Sequence, residues 1–306
     1  MRASMIEIFE NYDVKKHSSF KIGGTVKKAA FPADIEELVS LLKTEEYDYV
    51  LGNCSNVLFY SGAIDKKIIF TEKISSWSVN GCRVHVLCGA KGPVLSNECR
   101  KKSLSGFEFL IGFPGSFGGM ISMNASAHNQ AVSDCIVSVC VYEPVSKSIL
   151  NIPKDELDFK YRESNVSKKH YTVLSADFEL KKGVQEQIDE LMQRNISYRK
   201  EHQPSLAYPN AGSIFKNPEN DSAGRLLDLC GLKGEKQGGA QVFDRHANFI
   251  INTGNASSED VLTLMYKMYS KVREKYTMVL KPEIKYIGNE GTLEAKLWKI
   301  ITENSI

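Results

Sequence analysis

Between Gly106 and Ala125 the chain carries five glycines and almost no charge. Its densest part, Gly112-Phe-Pro-Gly-Ser-Phe-Gly-Gly119, spaces the glycines by three, three and one residues. That spacing is not G-x-G-x-x-G, and no Lys-Ser/Thr pair follows, so the usual dinucleotide and ATP fingerprints are both absent. A second loop, Val50-Leu-Gly-Asn-Cys-Ser-Asn-Val-Leu58, sets polar residues between two apolar flanks. Glycine lets the backbone approach a ligand closely, and consecutive backbone N–H groups form a nest for an anion. A phosphate fits there; so does a plain turn between two strands. Two such loops, one inside a long uncharged stretch, point to a large ligand with a pyrophosphate and an apolar ring.

The rest of the chain reads as α+β. Its 306 residues are 42% hydrophobic and 25% charged, which suits a globular protein of two domains. Lys and Arg number 39 against 37 Asp and Glu, so charge makes no case for nucleic acid or a membrane surface. No run of 18 apolar residues occurs, and Met1–Glu10 lacks the apolar core of a signal peptide; the expectation is a cytoplasmic protein. Seven scattered cysteines without a C-x-x-C pair read as small buried thiols. Helical spacing marks 34–43, 185–201 and 258–276, the first with Asp34 and Glu37 in a capping-box pattern. Strands are expected at 67–71, 83–88, 138–142, 172–180 and 281–287, and a linker near Lys181-Lys-Gly183. The six histidines show no metal-ligand spacing, so no metal site is expected, and no G-x-S-x-G elbow is present.

Three further places hold candidate chemistry. Asn210-Ala-Gly-Ser-Ile-Phe-Lys-Asn-Pro218 groups a hydroxyl, a cation and an amide, or is a surface turn. Arg162 follows Tyr161 in a mixed polar segment. Glu283 sits in an apolar strand pattern after Pro282, where a carboxylate more often faces water.

These segments fall in the order of a known family. From about residue 17 to 288 the chain resembles the UDP-N-acetylenolpyruvoylglucosamine reductases. The resemblance rests first on Ser19–Gly24, Leu51–Leu58, Gly106–Gly119, Met123-Asn-Ala125 and Tyr161-Arg162. It continues through Ala211–Pro218, Ala223–Asp228, Gly231–Gly234, Gly238–Gln241, His246-Ala-Asn248 and Lys281-Pro-Glu283.

The resemblance implies an FAD-binding domain of vanillyl-alcohol-oxidase type over residues 1–182, in two subdomains meeting at about 72. A substrate-binding α+β domain would follow over 183–306. It implies that NADPH reduces non-covalently bound FAD. The flavin N5 hydride then goes to the vinyl CH2 of UDP-N-acetylglucosamine enolpyruvate, and a proton to the neighbouring carbon. Arg162, Ser213 and Glu283 match the catalytic positions: carboxylate partner, proton donor and protonated stabiliser of the enediolate-like species. Gly52, Asn53, Cys54, Ser55 and Asn56 match the first flavin loop. Pro114, Gly115, Ser116, Gly118, Gly119 and Asn124 match the second flavin region. Tyr161, Arg199, Lys200, Gln203, Lys216 and Asn217 are the substrate candidates, the last two for the diphosphate. Neither nucleic acid nor membrane is an implied partner, and the expected state is a monomer or weak oligomer.

Two positions depart from the pattern: Cys54 stands where glycine is common, and His128 where tyrosine is. The short span from Arg162 to Arg199 resembles the branch without the extra tyrosine loop. The alternatives are another FAD oxidoreductase of the same superfamily and a non-catalytic flavin- or sugar-nucleotide-binding module.

Overall fold

The computed structural model describes residues 6–205 and 207–303. Met1–Met5, part of the segment read for a signal peptide, lie outside the described residues. The chain forms two compact units that alternate along it. One takes the residues up to Phe9, Ala29–Asn53 and Lys67–Tyr198; the other takes Glu10–Lys28, Cys54–Lys66 and the chain from Arg199 onward.

In the first unit the helix Ile35–Thr44 begins as its sequence dictates. Asp34 Oδ1 accepts the Glu37 N–H at 2.9 Å, and Glu37 Oε2 accepts from Ala33 N at 2.8 Å, one residue earlier than a reciprocal box would close. Its apolar stripe buries Leu38 and Val39, with Ile35 and Leu42 packed at the margin of the core. A five-stranded antiparallel sheet runs in the order Ser148–Pro153, Ile136–Glu143, Thr172–Glu179, Arg83–Leu87, Trp77–Asn80. Alternation fixes its facing: Val84 and Val86 are buried, while His85 points outward to Asp177 at 2.8 Å on the neighbouring strand. Phe107, Phe117 and Phe178 cluster on the buried face, with ring centroids 5.1–5.7 Å apart.

The expected linker is not a free connection. Lys181–Lys182 pairs antiparallel with Leu104–Ser105, and the Gly183 N–H bonds to Ser103 O at 2.9 Å. Lysine and glycine signalled a loop, but the backbone found an edge partner some 80 residues upstream. The helix Gln185–His202 then lays Ile188 and Met192 on Ile111.

In the second unit the helix Ser258–Tyr276 has the bounds its periodicity predicts, and Val261, Leu264, Met265, Met268 and Val272 are all buried. Ser257 and Asp260 close a reciprocal capping box at 2.9 and 3.1 Å. Beside it lies a three-stranded sheet of Lys236–Gln237, Ala240–Val242 and Ile250–Asn252. The C-terminal strand is shorter than expected, Lys285–Ile287, and pairs in parallel with Val57–Phe59. Pro282 has no N–H to continue the ladder, and it forms an isolated bridge with Phe215 instead.

All seven cysteines are free thiols, three of them buried and four half-buried. Burial pushes Cys88 and Cys99 up to about 12, which keeps both protonated. Among the described residues no helix is long and apolar enough to cross a membrane.

Candidate active site

Within the first unit the start of one loop singled out in the sequence, Gly52-Asn53, meets the other glycine loop. The Asn53 side-chain amide donates to Pro114 O, and the Asn53 N–H approaches Ser116 Oγ at 3.4 Å. Ser116 Oγ lies only 1.8 Å from where a Cβ on Gly52 would stand, so any larger residue at 52 must displace the second loop. The second loop is anchored in turn: Phe117 N–H bonds to Ala90 O and Gly118 N–H to Cys88 O, at 2.9 and 2.8 Å. Gly118 is explained by that packing, since a Cβ there would sit 3.2 Å from the Cys88 side chain. Gly119 is different; nothing lies within 4 Å of a Cβ placed on it. Packing against the protein therefore does not account for a glycine at 119.

Asn124, matched to the flavin region, is 8% exposed and works within the protein. Its Nδ2 donates to Lys160 O at 3.1 Å and its Oδ1 accepts from Ser133 N at 3.2 Å. This ties down the turn carrying Tyr161 and Arg162. The Arg162 guanidinium reaches Ser126 Oγ at 2.7 Å and lies 5.1 Å from the Tyr161 ring centroid. His128, the replacement for the common tyrosine, sets its ring edge-on to Tyr198 at 5.4 Å.

The second unit brings Ser213 and Glu283 onto paired segments. Asn210 Oδ1 accepts the Gly212 N–H at 2.9 Å, turning the chain at a residue with φ of 78°. The segment after it is held on both edges. On one edge Ile214 N–H bonds to Asn248 O, and the Asn248 carboxamide pairs with both backbone groups of Phe215, at 3.0 and 2.8 Å. On the other edge Glu283 N–H bonds to Ile214 O and Lys216 N–H to Lys281 O, each at 2.8 Å. Glu283 is 8% exposed, so it does not face water as the bare pattern favours.

Asn56 contributes here as well. Its Nδ2 donates to Glu283 O at 2.9 Å and its backbone O accepts Lys285 N–H at 2.9 Å. Cys54 takes φ of 47°, which explains why glycine is the usual residue at this point of the loop. Ser55 beside it is half-buried. Asn217 Oδ1 accepts from Ala223 N at 3.1 Å, which ties the Asn217 side chain to the start of the helix Ala223–Leu229. Burial pulls the Arg199 guanidinium below its usual range, though never far enough to lose its charge. Lys200 is exposed, and Gln203 is half-buried one helical turn beyond Arg199.

Two supporting residues lay outside the sequence assignment. Ser126 holds Arg162, and nothing in the sequence separates it from other serines. Asn248 holds the Ser213 segment; it was visible only as part of a motif. His246 supports Asn248 in turn, its Nδ1 accepting the Asn248 N–H at 3.2 Å.

Burial pulls the His246 imidazole below its ordinary 6.5. The unfolded chain therefore binds a proton at a pH where the folded chain does not. Stability is full above 6.5 and declines as pH falls toward the folded value. Thermal midpoints measured from pH 8 to 5 should drop below 6.5, and less steeply in His246→Gln. Parallel slopes in the two proteins would remove His246 from the acid response.

The chain is similar to known proteins over most of its length. Residues 26–147 match the FAD binding domain family. Residues 203–287 match the family described as UDP-N-acetylenolpyruvoylglucosamine reductase, C-terminal domain. The chain is 36% identical over 297 residues to the UDP-N-acetylenolpyruvoylglucosamine reductase of Caldicellulosiruptor bescii, covering 95% of this chain and 94% of that one. It is 38% identical over 288 residues to the enzyme of that name from Caldanaerobacter subterraneus subsp. tengcongensis, covering 93% and 95%. The crystal structure of UDP-N-acetylenolpyruvylglucosamine reductase from Thermus caldophilus matches with a TM-score of 0.78 at 31% identity, covering 92% of this chain and 98% of that one.

Proposed function

Because the chain belongs to the UDP-N-acetylenolpyruvoylglucosamine reductase family, we propose that Arg162, Ser213 and Glu283 carry its reduction of UDP-N-acetylglucosamine enolpyruvate to UDP-N-acetylmuramate. The enzyme contains FAD, uses NADPH as reductant and serves peptidoglycan synthesis. The observation that carries the assignment is the pairing of the Ser213 and Glu283 segments through Glu283 N–H and Ile214 O at 2.8 Å.

The residues fit the cofactor: the two glycine loops are joined, Gly112–Gly119 carries no charge, and the Gly119 backbone faces open space. Bound FAD supplies the hydride. Gly52, Asn53, Cys54, Ser55, Asn56, Pro114, Gly115, Ser116, Gly118, Gly119 and Asn124 are proposed to hold it, Asn124 also bracing the Arg162 turn. Residues 1–182 are proposed as the FAD-binding part and 183–306 as the substrate-binding part.

Adding hydride to an enol ether is hard unless the adjoining carboxylate takes up charge. Arg162 is always cationic, and its planar fork suits that carboxylate. Glu283, in its protonated form, donates a hydrogen bond to the enediolate-like species, where the charge develops. Ser213 gives its proton to the carbon next to the site of hydride addition; a free serine is a weak acid, but that carbon is basic enough to take it. Lys216 and Asn217 meet the diphosphate, and Tyr161, Arg199, Lys200 and Gln203 line the substrate's path. The setting is the cytoplasm, and the protein acts as a monomer or weak oligomer.

The test is anaerobic. Protein reduced by NADPH is mixed with UDP-N-acetylglucosamine enolpyruvate, and flavin absorbance is followed. Rapid reoxidation with formation of the lactyl ether is expected. Reoxidation by oxygen alone would sink the assignment.

A further inference from the structure

We propose that Ser126 is a positioning residue of this reaction, whose hydroxyl sets the orientation in which the Arg162 guanidinium meets the substrate carboxylate. The inference rests on the reading of Arg162 given above. Arg162 Nη1 donates to Ser126 Oγ at 2.7 Å and lies 3.4 Å from Ser126 O. Two contacts to one nitrogen fix more than that atom. The guanidinium is planar, so holding Nη1 restricts the plane in which its remaining N–H groups point. An unrestrained arginine side chain loses rotamer freedom on binding a planar partner, and a bond formed in advance removes part of that cost.

The backbone around both residues is built rigidly enough to make the bond matter. Arg162 sits at φ of 56°, a left-handed conformation that a side chain with a Cβ adopts only when its surroundings enforce it. The enforcement is visible. Lys160 and Glu163 exchange both backbone hydrogen bonds across the turn, at 3.0 and 3.2 Å. Lys168 bridges Asp158 and Glu163 on the outside of the turn, at 3.1 and 2.6 Å. Asn124 fastens Lys160 O from the inside. Ser126 is fixed independently: Ala125 before it is fully buried, and Ser126 itself pairs with Ala131 in a two-residue ladder. One short segment, Asn124-Ala-Ser126, therefore grips the Arg162 turn twice, by its main chain and by its guanidinium.

The experiment is a double-mutant cycle read by anaerobic reoxidation of NADPH-reduced protein with the enolpyruvyl substrate. Flavin content and thermal midpoint are measured for each protein as controls on folding. Ser126→Ala is expected to slow reoxidation about tenfold, the scale of one lost hydrogen bond to a charged group. Ser126→Thr, which keeps the hydroxyl, should recover most of the rate. In an Arg162→Ala background, Ser126→Ala should cost nothing further, because residues acting through one another are not additive. Equal losses from Ser126→Ala in both backgrounds would overturn the proposal. So would a wild-type rate for Ser126→Ala while Arg162→Ala is slow, leaving the role of Arg162 intact. A wild-type rate for Arg162→Ala would instead strike the reading of Arg162 itself.

Discussion

Ser213→Ala should bleach normally with NADPH and then stay bleached when the enolpyruvyl sugar nucleotide is added. The expected loss in the second half-reaction is 10²- to 10⁴-fold, the usual contribution of a positioned proton donor. The structure makes this a clean substitution. Ser213 is held through its backbone, by its bridge to Phe249 and by the flanking bonds of Ile214 to Asn248 and Glu283. None of these involves the hydroxyl. Alanine should therefore leave the segment in place and remove only the proton. Ser213→Cys sharpens the test, since a thiol also carries a proton in nearly the same place. It should restore part of the rate, whereas a merely structural serine would gain nothing from the thiol. Stopped-flow absorbance under argon separates the two half-reactions. Reoxidation of Ser213→Ala within about threefold of wild type would place the proton donor elsewhere.

The sequence spoke most clearly where structure is local. The helix Ser258–Tyr276 was legible because its apolar stripe lies in one short window; its cap, Ser257 with Asp260, lies in the same window. The facing of Arg83–Leu87 followed from simple alternation. What the residues alone left open was long-range pairing. Lys181–Lys182 looked like a linker because its strand partner lies at Leu104–Ser105. Glu283 looked water-facing because its burial depends on Ile214 and on Asn56, the latter 227 positions away. The glycines show the same division. Spacing alone marked Gly52, Gly118 and Gly119 alike, yet Gly52 makes room for Ser116, Gly118 for Cys88, and only Gly119 opens onto free space. Ser126 carried no signal at all, since a hydroxyl that holds an arginine across 36 positions looks like any other serine.

Glu283 offers the second large effect, and two substitutions decide what its carboxyl does. If it acts as a neutral hydrogen-bond donor to the developing enediolate, Glu283→Gln keeps both a donor and the absence of charge. Glu283→Ala keeps neither. Removing one donor aimed at developing charge costs about 10²- to 10³-fold in kcat. Glu283→Ala should lose that much, and Glu283→Gln markedly less, about tenfold. A role as an ionised base predicts another pattern, with Gln and Ala equally damaged, because neither accepts a proton. The comparison is secure because Glu283 is fastened by its main chain: its N–H to Ile214 O and its C=O to the Asn56 amide survive either change. Steady-state kcat for the three proteins, measured with flavin content and thermal midpoint, gives the ordering. A Gln variant as slow as the Ala variant would reject the donor role while leaving the position essential.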